Sequence, residues 1–463
     1  MLIKRAATKR WALVACLLVF AVNADAYGAS SQVAGIPVPG QGPTEIAAAA
    51  GVTVSNAVYD TPVYKTTITG VVYGQTGVMP EIKPNIPVTG QGVTGVTYSV
   101  YSEILPVVKL AVSPQISVGF SRSLALDDNG VLWQWGSPDG KAVDGKSNMT
   151  PQRVPGLGRV VAVAALSHVI ALQDDGTVWA WGDNRMGQLG DGTTTARQQP
   201  VQVAGLSGIV AVAAGATHSL ALKDDGTVWS WGSNTFGELG DGTNKKRVTP
   251  AKVPGLQGIK SLSTGGSHNL ALAGDGIVWS WGANAQGQLG DGTLVNRTKP
   301  LQVEGLFDVK AISAGYQHSL VLTEGGRVLA WGNNDYGQLG DQTNTLRKNP
   351  VQVKELKDVT AISAGALHSV ALDKNGSVLA WGANQYGQLG NGAFEHENSP
   401  VTVYGGIRAS RISAGFYTTG ILGTNHTYFA WGSNVFGQLG TGSKQPQSKP
   451  AAIPGLSANS DSQ

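Results

Sequence analysis

A Trp-Gly pair returns seven times in this chain, at Trp135, Trp181, Trp231, Trp281, Trp331, Trp381 and Trp431. The first interval is 46 residues and the other five are 50 each. A fixed period of this size means one supersecondary unit stacked on copies of itself, since a lone unit cannot bury its apolar face. Each copy carries the same series: alternating Val and Ala, His-Ser-Leu-Ala-Leu, Asp-Asp-Gly-Thr, Val-Trp-Ser-Trp-Gly, Asn-x-x-Gly-x-Leu-Gly-Asp-Gly-Thr, and Pro-x-x-Val. The copies span residues 114–456.

The series reads as four short strands per copy, the last opened by the proline. Asp224-Asp225-Gly226 and Asp128-Asn129-Gly130 mark tight hairpin turns, where glycine takes positive φ without a Cβ clash. Leu220 and Leu222 point to one face and Ala221 to the other, so neither face is polar. A sheet apolar on both faces needs cover on both, which sheets fanned around an axis supply. The expected fold is all-β: a seven-bladed β-propeller with four-stranded antiparallel blades. The 64 glycines suit its crowded turns.

The unit His-Ser-Leu-Ala-Leu-x-Asp-Asp-Gly-Thr-Val-Trp-Ser-Trp-Gly-x-Asn-x-x-Gly-x-Leu-Gly-Asp-Gly-Thr resembles the repeat of the regulator of chromosome condensation family. That resemblance implies a seven-bladed propeller over about three quarters of the chain. It says less about function, because one fold hosts many tasks.

The N-terminus reads differently. Lys4, Arg5, Lys9 and Arg10 precede an uncharged stretch, Trp11–Val22, and Ala24-Asp25-Ala26 offers a cleavage site. A charged start, a short apolar run and small exit residues describe a secretory signal peptide over residues 1–26. Acylation at Cys16, within Leu13-Val14-Ala15-Cys16, is the alternative. No run reaches the ~18 apolar residues of a membrane-spanning helix.

Loss of residues 1–26 brings acidic and basic residues into balance and removes Cys16, the single cysteine. A neutral chain lacks the footprint of a nucleic-acid binder, and none is expected as partner. Export without cysteines suits a bacterial envelope or secreted protein, periplasmic or at the cell surface, and a monomer is expected. Residues 27–113 form an accessory region rich in Gly, Val and Thr, β or irregular, with possible strands at 66–73 and 96–101; residues 457–463 are a tail.

His168, His218, His268, His318 and His368 share one repeat position, which invites a metal or proton-relay reading. Packed sheets lie ~10 Å apart and a zinc ligand must approach within ~2.1 Å, so a hydrogen bond inside each blade accounts for them better. Arg122 and Thr418 also interrupt the ring. The Gly-rich loops carry neither a Gly-Lys-Ser/Thr run nor alternating carboxylates, so neither phosphate nor calcium is expected. No metal, no cofactor and no catalytic residues are assigned.

In four copies an aspartate is followed six residues later by arginine: Asp191 and Arg197, Asp241 and Arg247, Asp291 and Arg297, Asp341 and Arg347. Where the acid is missing, at Asn391 and Thr441, so is the base. These are expected to pair and brace the long loop.

In a four-strand meander, the loops after the first and third strands share one face, and there the copies differ most. Phe120, Tyr316, Phe416 and Tyr417 lie in the first of these loops, and closure of the ring should gather Phe120, Phe416 and Tyr417. Aromatics so placed are candidate partner-binding residues, or a local cap on the core. Tyr336, Tyr386, Phe236 and Phe436 recur at one loop position and read as structural.

The leading expectation is an exported, non-enzymatic protein-binding propeller, an inhibitor or adhesion-type binder. The resemblance also implies guanine-nucleotide exchange on a small GTPase, although no copy carries a long wedge-like insertion. A propeller-based lyase or hydrolase is the third alternative, and the repeat supplies no convergent acids or bases for it.

Overall fold

The computed structural model describes residues 110–137 and 148–459, with the backbone of three short strands, Leu18–Val19, Lys65–Thr66 and Ser99–Tyr101. Apart from these strands, the expected signal peptide, the acylation alternative at Cys16 and most of the accessory region lie outside the described residues. The three short strands pair as one small sheet with Ser99–Tyr101 at its centre. By compactness the chain divides into Met1–Val108 and Lys109–Gln463.

The second unit is a seven-bladed propeller of four-stranded antiparallel sheets, each built from four consecutive strands in chain order. Blade 3 shows the pattern. Ile209–Ala214 is innermost, followed by His218–Lys223, Val228–Gly232 and the outer Arg247–Lys252. Blade 1 begins at Gln115 and blade 7 ends at Ser457. The proline does not open the fourth strand. Pro250 is its fourth residue, and Pro200, Pro300, Pro350, Pro400 and Pro450 sit likewise. Each is on an outer edge, where a missing N–H breaks no ladder and discourages pairing with another chain.

Two positions show why the sequence must be small where it is. The third and fourth strands slip register between Ser230 and Gly232, and Gly232 takes φ of 103°. A Cβ there would come 2.6 Å from the Thr217 carbonyl and 2.7 Å from His218 Cα. The second position, Gly266, belongs to the rim.

The core lies between blades. Leu220, Leu222 and Val228 of blade 3 pack against Ala271 and Trp281 of blade 4, all buried. Burying a large aromatic side chain contributes about 2–3 kcal/mol from its area alone. The seven repeat tryptophans are each 1% exposed or less.

Polar groups latch the same junctions. Trp231 Nε1 and Ser219 Oγ both donate to the Gln188 carbonyl of blade 2, at 2.8 and 2.7 Å. That carbonyl has two lone pairs, and the next blade fills both. The double bond recurs on the Glu238, Gln288, Gln338 and Gln388 carbonyls. At the seam, Trp135 and Ser123 of blade 1 donate to the Gln438 carbonyl of blade 7. Tyr428 Oη also donates to the Leu126 carbonyl at 2.6 Å. The ring closes without strand exchange. Two blades depart: in blade 4 the Asn269 amide takes the place of the hydroxyl, and in blade 2 Val169 does, with Trp181 donating to Gln134 Oε1.

The histidines belong to this latch, and their bonds run between blades rather than within one. His168 Nε2 meets Ser219 Oγ at 2.7 Å, and His268, His318 and His368 reach Ser319, Ser369 and Thr419 at 2.9 to 3.0 Å. His218 meets Asn269 Oδ1 at 2.7 Å. Strand alternation does separate each histidine from its sequence neighbour, but that face abuts the next blade. Because the hydroxyl proton is spent on the carbonyl, the histidine must donate from Nε2, leaving Nδ1 bare. Burial pushes the pKa of His168, His268, His318 and His368 down to about 3, and that of His218 down as well. They are neutral structural groups.

Candidate functional site

The loops after the first and third strands lie on one end of the propeller, and the long one is rigidly organised. Asn234, wholly buried, is its hub. Its Nδ2 donates to Asp241 Oδ1 and to the carbonyls of Thr243 and Lys245, and its Oδ1 accepts from Leu239 N at 2.9 Å. Asn184, Asn284 and Asn334 repeat the arrangement. In the sequence this asparagine is marked only by its unbroken recurrence in blades 2–7.

Asp191, Asp241, Asp291 and Asp341 meet Arg197, Arg247, Arg297 and Arg347 at 2.6 to 2.8 Å. Partial burial pushes each carboxyl up, but hydrogen bonds from the following threonine, the arginine and the asparagine outweigh it and hold it below the usual range. These charges are committed inside the loop.

At the axis, backbone bonds tie blade to blade around the mouth of the central channel. Phe416 N donates to the Gly119 carbonyl, Phe120 N to Leu166, Ala216 N to Gly266, Gly266 N to Tyr316, Tyr316 N to Gly365, and Ala366 N to Gly415. With the rim's backbone so engaged, its side chains are what this end offers to solvent. Below it lies a cavity of about 90 Å³ walled by Ala165, Ala214, Thr264, Ala314, Ala364 and Ala414, with Tyr316 and Phe416 at its mouth.

One ring position supplies Phe120, Leu166, Ala216, Gly266, Tyr316, Ala366 and Phe416 from blades 1 to 7. The large rings converge. Phe120 and Phe416 stack edge to face at 4.8 Å, as do Phe416 and Tyr417 at 4.7 Å. Tyr316 comes from blade 5 yet lies 5.3 Å from Phe416 of blade 7, spanning the mouth. A Cβ on Gly266 would stand 2.7 Å from the Tyr316 ring, so this glycine makes room for it.

The cluster extends beyond the four residues singled out in the sequence. Tyr386 lies 5.0 Å from Tyr417, and Phe436 lies 5.7 Å from Phe120. Burial, then the neighbouring Tyr386, Tyr336 and Tyr316, push the Tyr417 phenol up. Phe120, Tyr316 and Tyr386 keep 37 to 38% of their surface exposed. Blades 5, 6, 7 and 1 thus form an aromatic crescent, whereas in blades 2 to 4 the innermost ring position carries Leu166, Ala216 and Gly266 and the exposed Phe236 of blade 3 stands apart from the crescent's ring contacts.

Two other features bear on chemistry. Among the described residues no group of three or more His, Cys, Asp or Glu is placed to hold a metal. A larger hollow, about 620 Å³, opens on the outer strand of blade 4 beside Arg297, Lys299, Glu304 and Asn349, and has no aromatic lining.

Fold and rim together define a propeller whose repeated residues lock blade to blade and whose unrepeated residues crown one end. The chain belongs to the RCC1-like domain family, whose profile matches residues 46–321. Regulator of chromosome condensation repeats also match at residues 325–372, 375–422 and 425–462. The solved structure of Prp20p from Saccharomyces cerevisiae, described with its binding to Gsp1p and histones, is 27% identical with a TM-score of 0.57. The similarity covers 65% of this chain and 80% of that one. Yeast Prp20 bound to Kap60 is 26% identical over 65% of this chain and 77% of that one, with a TM-score of 0.58. Human WBSCR16, at 24% identity and a TM-score of 0.60 over 73% of this chain and 95% of that one, shows the shared fold. The human E3 ubiquitin-protein ligase HERC2 is 40% identical over 101 residues, which are 20% of this chain and 2% of that protein.

Proposed function

We propose that this chain is an exported, non-enzymatic propeller that docks a partner protein on its aromatic crescent. The observation that carries the reading is the convergence of Phe120, Tyr316, Phe416, Tyr417 and Tyr386 at the end of the ring where the copies differ. Rigid aromatics with exposed faces supply contact area at little entropic cost, and such residues dominate protein interfaces. The yeast relative's binding to Gsp1p, histones and Kap60 supports a protein ligand. Lys4 to Ala26 support export, and the remainder's balanced charge supports a partner other than nucleic acid.

A second reading is nucleotide exchange on a small GTPase, favoured by the likeness to a Gsp1p-binding protein. The test is capture of partners from extracts of the source organism by the wild type and by the triple variant Phe120→Ala, Phe416→Ala, Tyr417→Ala. Loss of the captured proteins, with the melting temperature kept within a few degrees, is expected. An unchanged set of captured proteins rejects the crescent, and accelerated nucleotide release from a captured GTPase favours the second reading.

A further inference from the structure

The crescent is uneven in charge as well as in shape. Asp335 directly precedes Tyr336 in the loop of blade 5, and Glu395 and Glu397 flank His396 in that of blade 6. The His396 ring meets Tyr336 edge to face at 5.0 Å, so the two acid-bearing loops meet. Asp335 and Glu395 are exposed. Neither enters the ion pairs found among the described residues. Arg347, the basic residue of the blade 5 loop, is held by Asp341 at 2.7 Å. Lys348 rests against Gly287 of blade 4, and blade 7 carries Lys444 at its tip. The adjacent Lys245 and Lys246 lie on blade 3, outside the crescent.

We infer that the blade 5 and 6 sector of the crescent receives a basic side chain of the partner protein, arginine in preference to lysine. The inference rests on the docking reading above and names the chemistry of that site. The face of a tyrosine ring is the negative pole of its quadrupole and attracts a cation, and a planar, weakly hydrated guanidinium stacks there better than an ammonium. Tyr386, 37% exposed in the loop of blade 6, offers such ring surface in this sector. Asp335 and Glu395 supply carboxylates for the guanidinium N–H groups, which form short charge-assisted bonds. An acidic partner segment would meet uncompensated like charges here, so the sector selects by repulsion as well.

The probe is a fluorescein-labelled nonapeptide of three Arg-Gly-Gly repeats, titrated by fluorescence anisotropy into the full-length protein at near-physiological salt. Lys-Gly-Gly and Glu-Gly-Gly peptides serve as comparisons. Saturable binding is expected for the arginine peptide, weaker binding for the lysine peptide and none for the glutamate peptide. The double variant Asp335→Asn, Glu395→Gln and the single variant Tyr386→Ala should each weaken the arginine peptide about tenfold, while Tyr386→Phe keeps most of it. Asp225→Asn with Asp275→Asn, in turns at the other end of the blades, should leave binding unchanged. Equal binding by the rim variants, or loss in the opposite-end variant, overturns the inference. If partner capture depends on Phe120, Phe416 and Tyr417 but the arginine peptide does not bind, docking stands and the basic side chain falls. If the peptide binds as described but capture ignores the triple variant, the basic site stands and the wider docking reading falls.

Discussion

The junctions between blades and the rim at the axis are built from the same fifty-residue unit, yet they use it in opposite ways. At five of the seven junctions, those leading into blades 3 to 7, the same thing happens: a tryptophan and a hydroxyl or amide close on one carbonyl, with a histidine of the preceding blade behind that group. At the rim the copies part company, and Phe120, Tyr316 and Phe416 stand where Ala216, Gly266 and Ala366 stand in other blades. The lesson is that repetition encodes the scaffold and departure from it shapes the surface of the rim. Perturbing the junctions should therefore unfold the ring, and perturbing the rim should spare it.

Acid is the strongest expected perturbation. Four of the buried histidines titrate near 3 in the fold against 6.5 unfolded, so the unfolded state binds more protons between those values. Their contribution to stability is present in full above about pH 6.5 and is lost as pH drops toward 3. Denaturant midpoints measured from pH 7 to 4 should fall steeply, and His318→Gln should flatten the slope. A flat profile would break the contrast between junction and rim.

Next is Trp281→Ala, which opens a cavity between blades 3 and 4 and removes one of two donors to the Glu238 carbonyl. A loss of about 3–5 kcal/mol is expected, read from urea unfolding. Asp241→Ala should cost less. It frees Arg247, which is partly exposed, and removes an acceptor from Thr243 and Asn234. About 1–2 kcal/mol is expected, seen as a drop in melting temperature, and no drop would show that the ion pair does not brace the loop.

The blade count, the order of strands within a blade and the sharing of one end by the variable loops were legible because they follow from period and alternation. What alternation cannot tell is which blade a side chain meets. Alternation alone gives His168 a partner within its own sheet, whereas the face it points to abuts blade 3 and finds Ser219 there. Tyr316 is separated from Phe416 by a full blade along the chain, but positions at one level of a ring converge toward its axis. Sequence distance measures the circumference and says nothing of the chord. Pro250 was misplaced by three residues because proline punctuates loops and is equally tolerated on an outer edge strand.

Each blade is made from one uninterrupted stretch of chain, and the joint between the last and the first is held by the same tryptophan and serine bonds as its neighbours. The circle therefore has no privileged beginning. A gene encoding it could grow or shorten by whole units, or start at another blade, without splitting any sheet between its two ends. Its architecture is open to tandem duplication in a way that a ring stitched by a shared terminal sheet is not.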